Sequence, residues 1–404
     1  MLYRKVPGRQ GVPVIFSHLF SFRGGPFRGA RFALLAAAAA CVTAVQPAIR
    51  HAQAAGILLR LDPSAPSVRG LQGFDTHAVA ESVLTFETPD GPARARLYEP
   101  LDAGRPPGLV MVHGVHHLGM DEPRLMRFAR SMASTGIVVL TPEVRELADY
   151  AVNERSIHTL GAATIVLGRR LPWAPAVGLM GLSFAGGLAL LAASDMRYAP
   201  SVAYVVAVGA HDDLARVSRF FATGRIEQAD GSVLEMRPHD YGPLVLVYAH
   251  ASDFFPPDDV PVAREALRLW LWDEKSDARK RAGALSGPSR TTLDALFDGH
   301  IDTVAPELLR DVDAREGAMH AVSPHGNISG LRAPAFLLHG AKDNVIPASE
   351  TLWIARDLPP GTPRSVLVSR LIGHVELEGE PTAAERWAAV HFLAGVLEKA
   401  HEAQ

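Results

Sequence analysis

The stretch Val177–Leu191 reads VGLMGLSFAGGLALL: fifteen residues, all apolar or glycine except Ser183. An apolar strand pattern ends at this serine and an apolar helix pattern begins after it. A residue placed there sits at the carboxyl edge of a buried sheet, where ligands bind in open α/β folds. A hydroxyl can be held clear of the sheet only by a tight turn, and a tight turn needs small neighbours. Gly181 and Ala185 meet that need, with Gly186 and Gly187 following. The pattern is Gly-x-Ser-x-Ala, one methyl group away from the Gly-x-Ser-x-Gly elbow that presents a serine nucleophile. The helix expected from Phe184 onward points free amide hydrogens at any negative charge that forms beside Ser183.

Working outward, strands and helices alternate. SVLTFE and ARARLYEP flank TPDGP, whose Asp90-Gly91 pair signals a hairpin. GLVMVHG (Gly108–Gly114) and IVVLTP (Ile137–Pro142) are short apolar runs. Between them Leu125, Phe128, Ala129 and Met132 recur at helical spacing, after Pro123 and before Gly136. Arg155–Leu171 and Phe184–Ala193 read as helices, and AYVVAVGA (Ala203–Ala210) as a strand. Strands apolar throughout, alternating with helices, predict an α/β fold with a mainly parallel sheet covered on both faces. The alternation stops over 211–332, an aromatic-rich and irregular segment that predicts a cap or lid. It resumes with APAFLLHG, a helix near Ser349–Asp357, the strand SVLVSR and a last amphipathic helix. The expected organisation is a leader over 1–55, a linker over 56–80, a core over 81–210 and 333–404, and the inserted cap.

A serine becomes a useful nucleophile when a histidine, oriented by a carboxylate, takes its proton. FLLHGAKDNVIP places Asp343 in the loop after one strand, and VSRLIGHVE places His374 after the next. Ser183, Asp343 and His374 thus follow the chain order Ser, acid, His, each behind a different strand.

With these residues in place, the chain from about 80 to 400 resembles the α/β-hydrolase superfamily, in its esterase and dienelactone hydrolase-like branches. The resemblance implies an α/β-hydrolase fold: an eight-stranded, mainly parallel sheet, helices on both faces and a cap. It also implies a Ser-His-Asp triad acting through an acyl-enzyme, and an oxyanion hole made by the amides of Val115 and Phe184, after His113-Gly114. Many esterases have a run of glycines where this chain reads HGVHHLG. Dienelactone hydrolases proper use cysteine where this chain has Ser183, so their lactone chemistry is not implied. Some members of the superfamily carry the acid after the strand that here ends at Ala210, which makes Asp212 and Asp213 alternatives to Asp343. His116 and His117 are candidate substrate contacts. Glu143, after IVVLTP, reads as a helix-capping or loop residue within reach of the site, and Glu376 as a surface or cap-facing charge. The expected activity is cleavage of a carboxylic ester with short to medium apolar acyl groups. Aromatic residues of the insertion, among them Phe220, Phe221, Tyr241, Tyr248, Trp270 and Trp272, make the pocket largely apolar if even a few face it, although LRLWLW reads more readily as helix core. The alternatives are a non-catalytic envelope protein of the same fold, or a peptidase or haloperoxidase-type member.

Composition agrees with this class. The 404 residues are 48% hydrophobic with a formal net charge of −3, which gives no sign of a nucleic-acid partner. The single cysteine, Cys41, excludes an intramolecular disulfide and a cysteine-based zinc site. Seventeen histidines include no His-Glu-x-x-His pattern, and no metal or cofactor is expected. At the N-terminus, residues 1–31 carry six basic side chains and no acid, followed by the uncharged run Phe32–Val45 and by AQA at Ala52–Ala54. That order reads as an export signal cut near Ala55, or a retained membrane anchor. The run is shorter than the roughly 20 residues that cross a bilayer. Cys41 after AAA weakly resembles a lipoprotein cleavage site. The expected location is the cell envelope, exported or anchored.

Overall fold

The hairpin signal at Asp90-Gly91 is realised by two long antiparallel strands, β1 (Val79–Thr88) and β2 (Gly91–Pro100), in continuous register from Val79 opposite Pro100 to Thr88 opposite Gly91. Gly91 has φ +106°, a conformation that glycine adopts without cost. The computed structural model describes residues 45–61, 69–285, 287–370 and 382–403. Among them, eight strands form one sheet in the order β1-β2-β4-β3-β5-β6-β9-β10. The further strands are β3 (Gly108–Val112), β4 (Val138–Pro142), β5 (Val177–Leu182), β6 (Val202–Val208), β9 (Ala335–Gly340) and β10 (Arg364–Ser369). β2 runs against its neighbours, and every pair from β4 to β10 is parallel. A small separate hairpin, β7 (Arg225–Glu227) with β8 (Val233–Glu235), lies within the insertion.

The central strands are apolar throughout because both faces are covered. Val110 and Val112 of β3 join one core cluster, with the helices Glu154–Arg170 and Phe184–Ser194. Leu109 and Met111 join the other, with the helices Pro123–Ala133 and Ala383–Glu402. This is the period-two alternation of a strand buried on both sides. The helix Pro123–Ala133 starts as its sequence suggests: Pro123 occupies the first turn and the Glu122 carboxylate accepts from the Leu125 amide.

The chain leaves β3 to build β4 on one side and returns to build β5 on the other. The order therefore reverses at β3, and the carboxyl ends of β3 and β5 flank the switch point. β3 and β5 are paired up to Val112 opposite Gly181, so the loops that follow them start side by side.

The N-terminal segment is described from residue 45. Residues 45–61 are helical, where the sequence suggested a leader to 55 and a linker after it. Ala54 and Ile57 are fully buried in the cluster containing Leu109, Met132 and Leu397. The Gln53 side chain donates to Asp75 Oδ2 at 3.0 Å, and Arg60 Nε donates to Ser131 Oγ at 2.8 Å. AQA therefore lies inside a docked helix. Its Ala-rich composition conceals this role because the buried face is small residues. A chain beginning at residue 56 should therefore melt several degrees below one beginning at residue 47, since it loses the Ala54 and Gln53 contacts, about 1–3 kcal/mol. Equal melting temperatures in differential scanning calorimetry would show that this helix does not contribute. The basic and apolar segments over 1–44 lie outside the described residues. Among the described residues, no helix is long and apolar enough to cross a membrane.

Candidate functional site

Ser183 ends β5 with φ +56° and ψ −133°, a backbone conformation that costs a non-glycine residue about 1–3 kcal/mol. The surroundings enforce it. Ser183 N–H donates to Val208 O of β6 at 2.7 Å, and Gly186 N–H returns to Ser183 O at 2.8 Å. A Cβ on Gly181 would lie 2.0 Å from Ala185 O, one on Gly186 would lie 2.7 Å from Ala210 Cβ, and one on Gly187 would lie 2.4 Å from the His211 ring. The small residues around Ser183 are thus required by helix-on-strand contact. The methyl of Ala185 is accommodated in a fully buried position.

The loop after β3 passes directly over this turn. A Cβ on Gly114 would sit 3.1 Å from Ser183 Cβ and 3.8 Å from its Oγ. His113, buried beside it, uses both ring nitrogens. Val144 N–H donates to Nε2 at 3.0 Å, so Nδ1 carries the proton and donates to Gly114 O at 2.8 Å. Burial pushes His113 down to about 4, which keeps this neutral tautomer through the working pH range. Among the described residues, no backbone carbonyl takes the amide hydrogens of Val115 or Phe184. Phe184 is the first residue of its helix and has no acceptor within it.

Asp343 lies in the turn after β9 and is 3% exposed. Its Oδ1 accepts from the amides of Val345 and Ile346 at 2.9 and 3.0 Å. A Cβ on Gly209, at the end of β6, would fall 3.7 Å from Asp343 Oδ2, and Gly209 has φ +62°. Since β5, β6 and β9 are adjacent and parallel, Ser183 and Asp343 emerge from one edge of the sheet, two strands apart. His374 and Glu376 lie outside the described residues.

The alternative acids are engaged elsewhere. Asp213 caps the helix Leu214–Thr223 by accepting from the Arg216 amide at 3.0 Å. Asp212 is fully buried and receives Arg216 Nη2 at 2.9 Å, while Glu350 accepts both the Asp212 and Asp213 amides. Burial, and then the nearby Glu350 charge, push Asp212 up to about 7. Glu143 is likewise structural: its Oε2 accepts from the Met120 amide at 3.0 Å.

His116 and His117 stack on one another, with ring centres 4.7 Å apart. His117 also lies 5.0 Å from the Trp272 ring, so this pair meets the cap. The insertion is mostly helical, more regular than its sequence suggested, and its aromatic side chains divide between its own core and the loops of the sheet. Phe220 and Phe221 are core residues, and Trp270 stacks flat on Phe297 at 4.1 Å. Tyr241, Tyr248 and Trp272 face the loops of the sheet instead. Sequence reading missed Tyr150. It has φ +60° and directs its hydroxyl to Leu271 O at 3.1 Å, with His117 Nδ1 3.4 Å away. A non-glycine residue in that conformation leaves no local signal.

The strand order, with β2 reversed, and the strained serine between β5 and its helix together define the α/β-hydrolase fold, and this chain has it. No family model and no curated protein matches the sequence. Solved structures similar to it include the acylaminoacyl peptidase of Pyrococcus horikoshii, at 15% identity and a TM-score of 0.45, covering 76% of this chain and 40% of that one. The esterase of Pyrobaculum calidifontis is similar at 16% identity and a TM-score of 0.46, covering 84% of this chain and 88% of the other. The esterase domain of a Rhodothermus marinus protein is similar at 15% identity and a TM-score of 0.41, covering 79% and 98%. The chain spans about two fifths of the length of the peptidases it matches.

Proposed function

We propose that this protein is a serine hydrolase that cleaves a carboxylic ester or related acyl bond through Ser183, His374 and Asp343. The observation that carries the reading is the strained backbone of Ser183 at the switch point, facing the start of a helix and Gly114. In the reaction, Ser183 Oγ attacks the acyl carbon as His374 takes its proton. The carbonyl oxygen becomes an oxyanion and is met by the amides of Val115 and Phe184, each worth about 3–4 kcal/mol when well aimed. Collapse expels the alcohol, which receives the proton from His374. Water then repeats the sequence on the acyl-enzyme and releases the carboxylate. Asp343, held by two amides, would orient the histidine. Trp272, His117 and Tyr241, between cap and sheet, favour an apolar acyl group of short to medium length.

A fluorophosphonate should label Ser183 stoichiometrically and abolish hydrolysis of chromogenic esters, with rates falling as the acyl chain lengthens. Activity surviving complete labelling would end the proposal, and a strict preference for charged peptides would move it to peptidases. EDTA is expected to leave the rate unchanged. If it inactivates the protein, attention passes to Asp212, His325 and Asp357, whose donor atoms lie within 4.8 Å of one another.

We further propose a cell-envelope location, exported or anchored, supported by the six basic side chains of residues 1–31 and the uncharged run Phe32–Val45. Fractionation with N-terminal mass spectrometry tests this, and a cytoplasmic chain with an intact N-terminus overturns it.

A further inference from the structure

Building on the proposed serine chemistry, we infer that Tyr241 of the cap is a positioning residue for oxyanion stabilisation. Its hydroxyl holds the Val115 segment so that the Val115 amide stays aimed at the reacting oxygen. Tyr241 opens the helix Tyr241–Ala249, and its Oη donates to Val115 O at 2.7 Å. The preceding carbonyl, Gly114 O, is held by His113 Nδ1 at 2.8 Å. The Val115 amide therefore lies between two tethered carbonyls, one fixed by the core and one by the cap. Its peptide is trans, so its N–H points away from the carbonyl bound to His113.

A tether is needed because Gly114 cannot be stiffened. Any side chain there would press on Ser183, and a glycine leaves both neighbouring peptide planes easy to rotate. Tyr241 in turn is braced by Tyr150, with ring centres 6.2 Å apart, and Tyr150 donates to Leu271 O of the cap. Burial raises the Tyr241 hydroxyl well above the ordinary tyrosine range, so it remains a donor. The cap thus does more than cover the site: through Tyr241 it holds the Val115 segment.

The test starts with fluorophosphonate labelling of the full chain. If Ser183 is not labelled, the hydrolase reading fails irrespective of Tyr241. With labelling established, Tyr241→Phe should lower kcat about 10–100-fold and leave KM within about threefold, because oxyanion contacts form only in the transition state. A trifluoromethyl ketone, which forms a hemiketal oxyanion on the serine, should bind more weakly by the same factor. Replacement of Tyr241 by 4-aminophenylalanine, which keeps an N–H donor, should restore most of the loss. Thr291→Ala removes an exposed cap hydroxyl that donates to Gly287 O at 3.2 Å and should leave kcat unchanged. The inference is overturned if Tyr241→Phe keeps kcat within threefold of wild type, if its loss falls on KM alone, or if Thr291→Ala loses as much. Should Tyr241→Phe not fold, replacement of Tyr241 by 4-methylphenylalanine, which fills the hydroxyl's space without a donor, decides. Weaker ketone binding at unchanged KM supports the role, and wild-type ketone affinity overturns it.

Discussion

Ser183→Ala is expected to lower kcat/KM by about 10⁴- to 10⁶-fold, the range seen when a triad nucleophile is removed. The melting temperature should shift by no more than a degree or two. Alanine keeps the Cβ, so the strain at φ +56° is unchanged. The backbone bonds to Val208 O and from Gly186 N–H do not involve the side chain. What remains is whatever rate the oxyanion amides and substrate binding supply on their own. Combining the change with His374→Ala should cost little more, because triad members act as one unit. A variant that keeps more than about a hundredth of wild-type activity, or losses that multiply in the double variant, would show that Ser183 and His374 do not share a mechanism. Ser183→Gly is the informative companion. It relieves the strain as well as removing the hydroxyl, and should raise stability while remaining inactive.

How far the sequence discloses this molecule depends on how local each signal is. The elbow is legible because steric demands act between neighbours: Gly181 must clear Ala185, four residues on. The strands of the sheet are legible because burial on both faces makes them apolar end to end. The helix over 45–61 is not legible. Its contacts to Asp75 and Ser131 are long-range, and its buried face of Ala54 and Ile57 reads as part of an Ala-rich leader. The cap is legible only as an interruption. Its aromatic residues suggested an apolar pocket, but helices fold some of them inward, and the bond from Tyr241 to Val115 joins positions 126 apart. In VHGVHH, the residues that attracted notice were His116 and His117. His113 is the one that is buried and fully bonded, and the glycine that follows it, packed on Ser183, explains why.

The choice of acid gives the second large effect. Asp343→Asn should lower kcat about 10³- to 10⁴-fold, because the loss of the carboxylate lets the histidine adopt the wrong tautomer. Asp343 Oδ2 also lies 3.6 Å from His339 Nε2, while Oδ1 is the oxygen that the backbone holds. Oδ1 is occupied by the Val345 and Ile346 amides, so an asparagine must place its oxygen there to keep those bonds. Its NH₂ group then replaces Oδ2, the atom that faces Gly209, and a donor stands where an acceptor for imidazole N–H is needed. Stability should fall modestly, because both amide bonds are retained. Asp213→Asn is the control. Its oxygen caps the helix Leu214–Thr223, and asparagine caps as well as aspartate, so activity and melting temperature should both stay near wild type. Asp212→Asn disturbs the buried group formed with Arg216 and Glu350 and should act on stability, leaving kcat of the folded fraction unchanged. Measuring kcat per titrated Ser183, with a fluorophosphonate as the titrant, separates the two kinds of effect. If Asp213→Asn or Asp212→Asn lowers kcat per labelled serine more than Asp343→Asn does, the carboxylate that orients the histidine follows β6 rather than β9, and the assignment of Asp343 is lost.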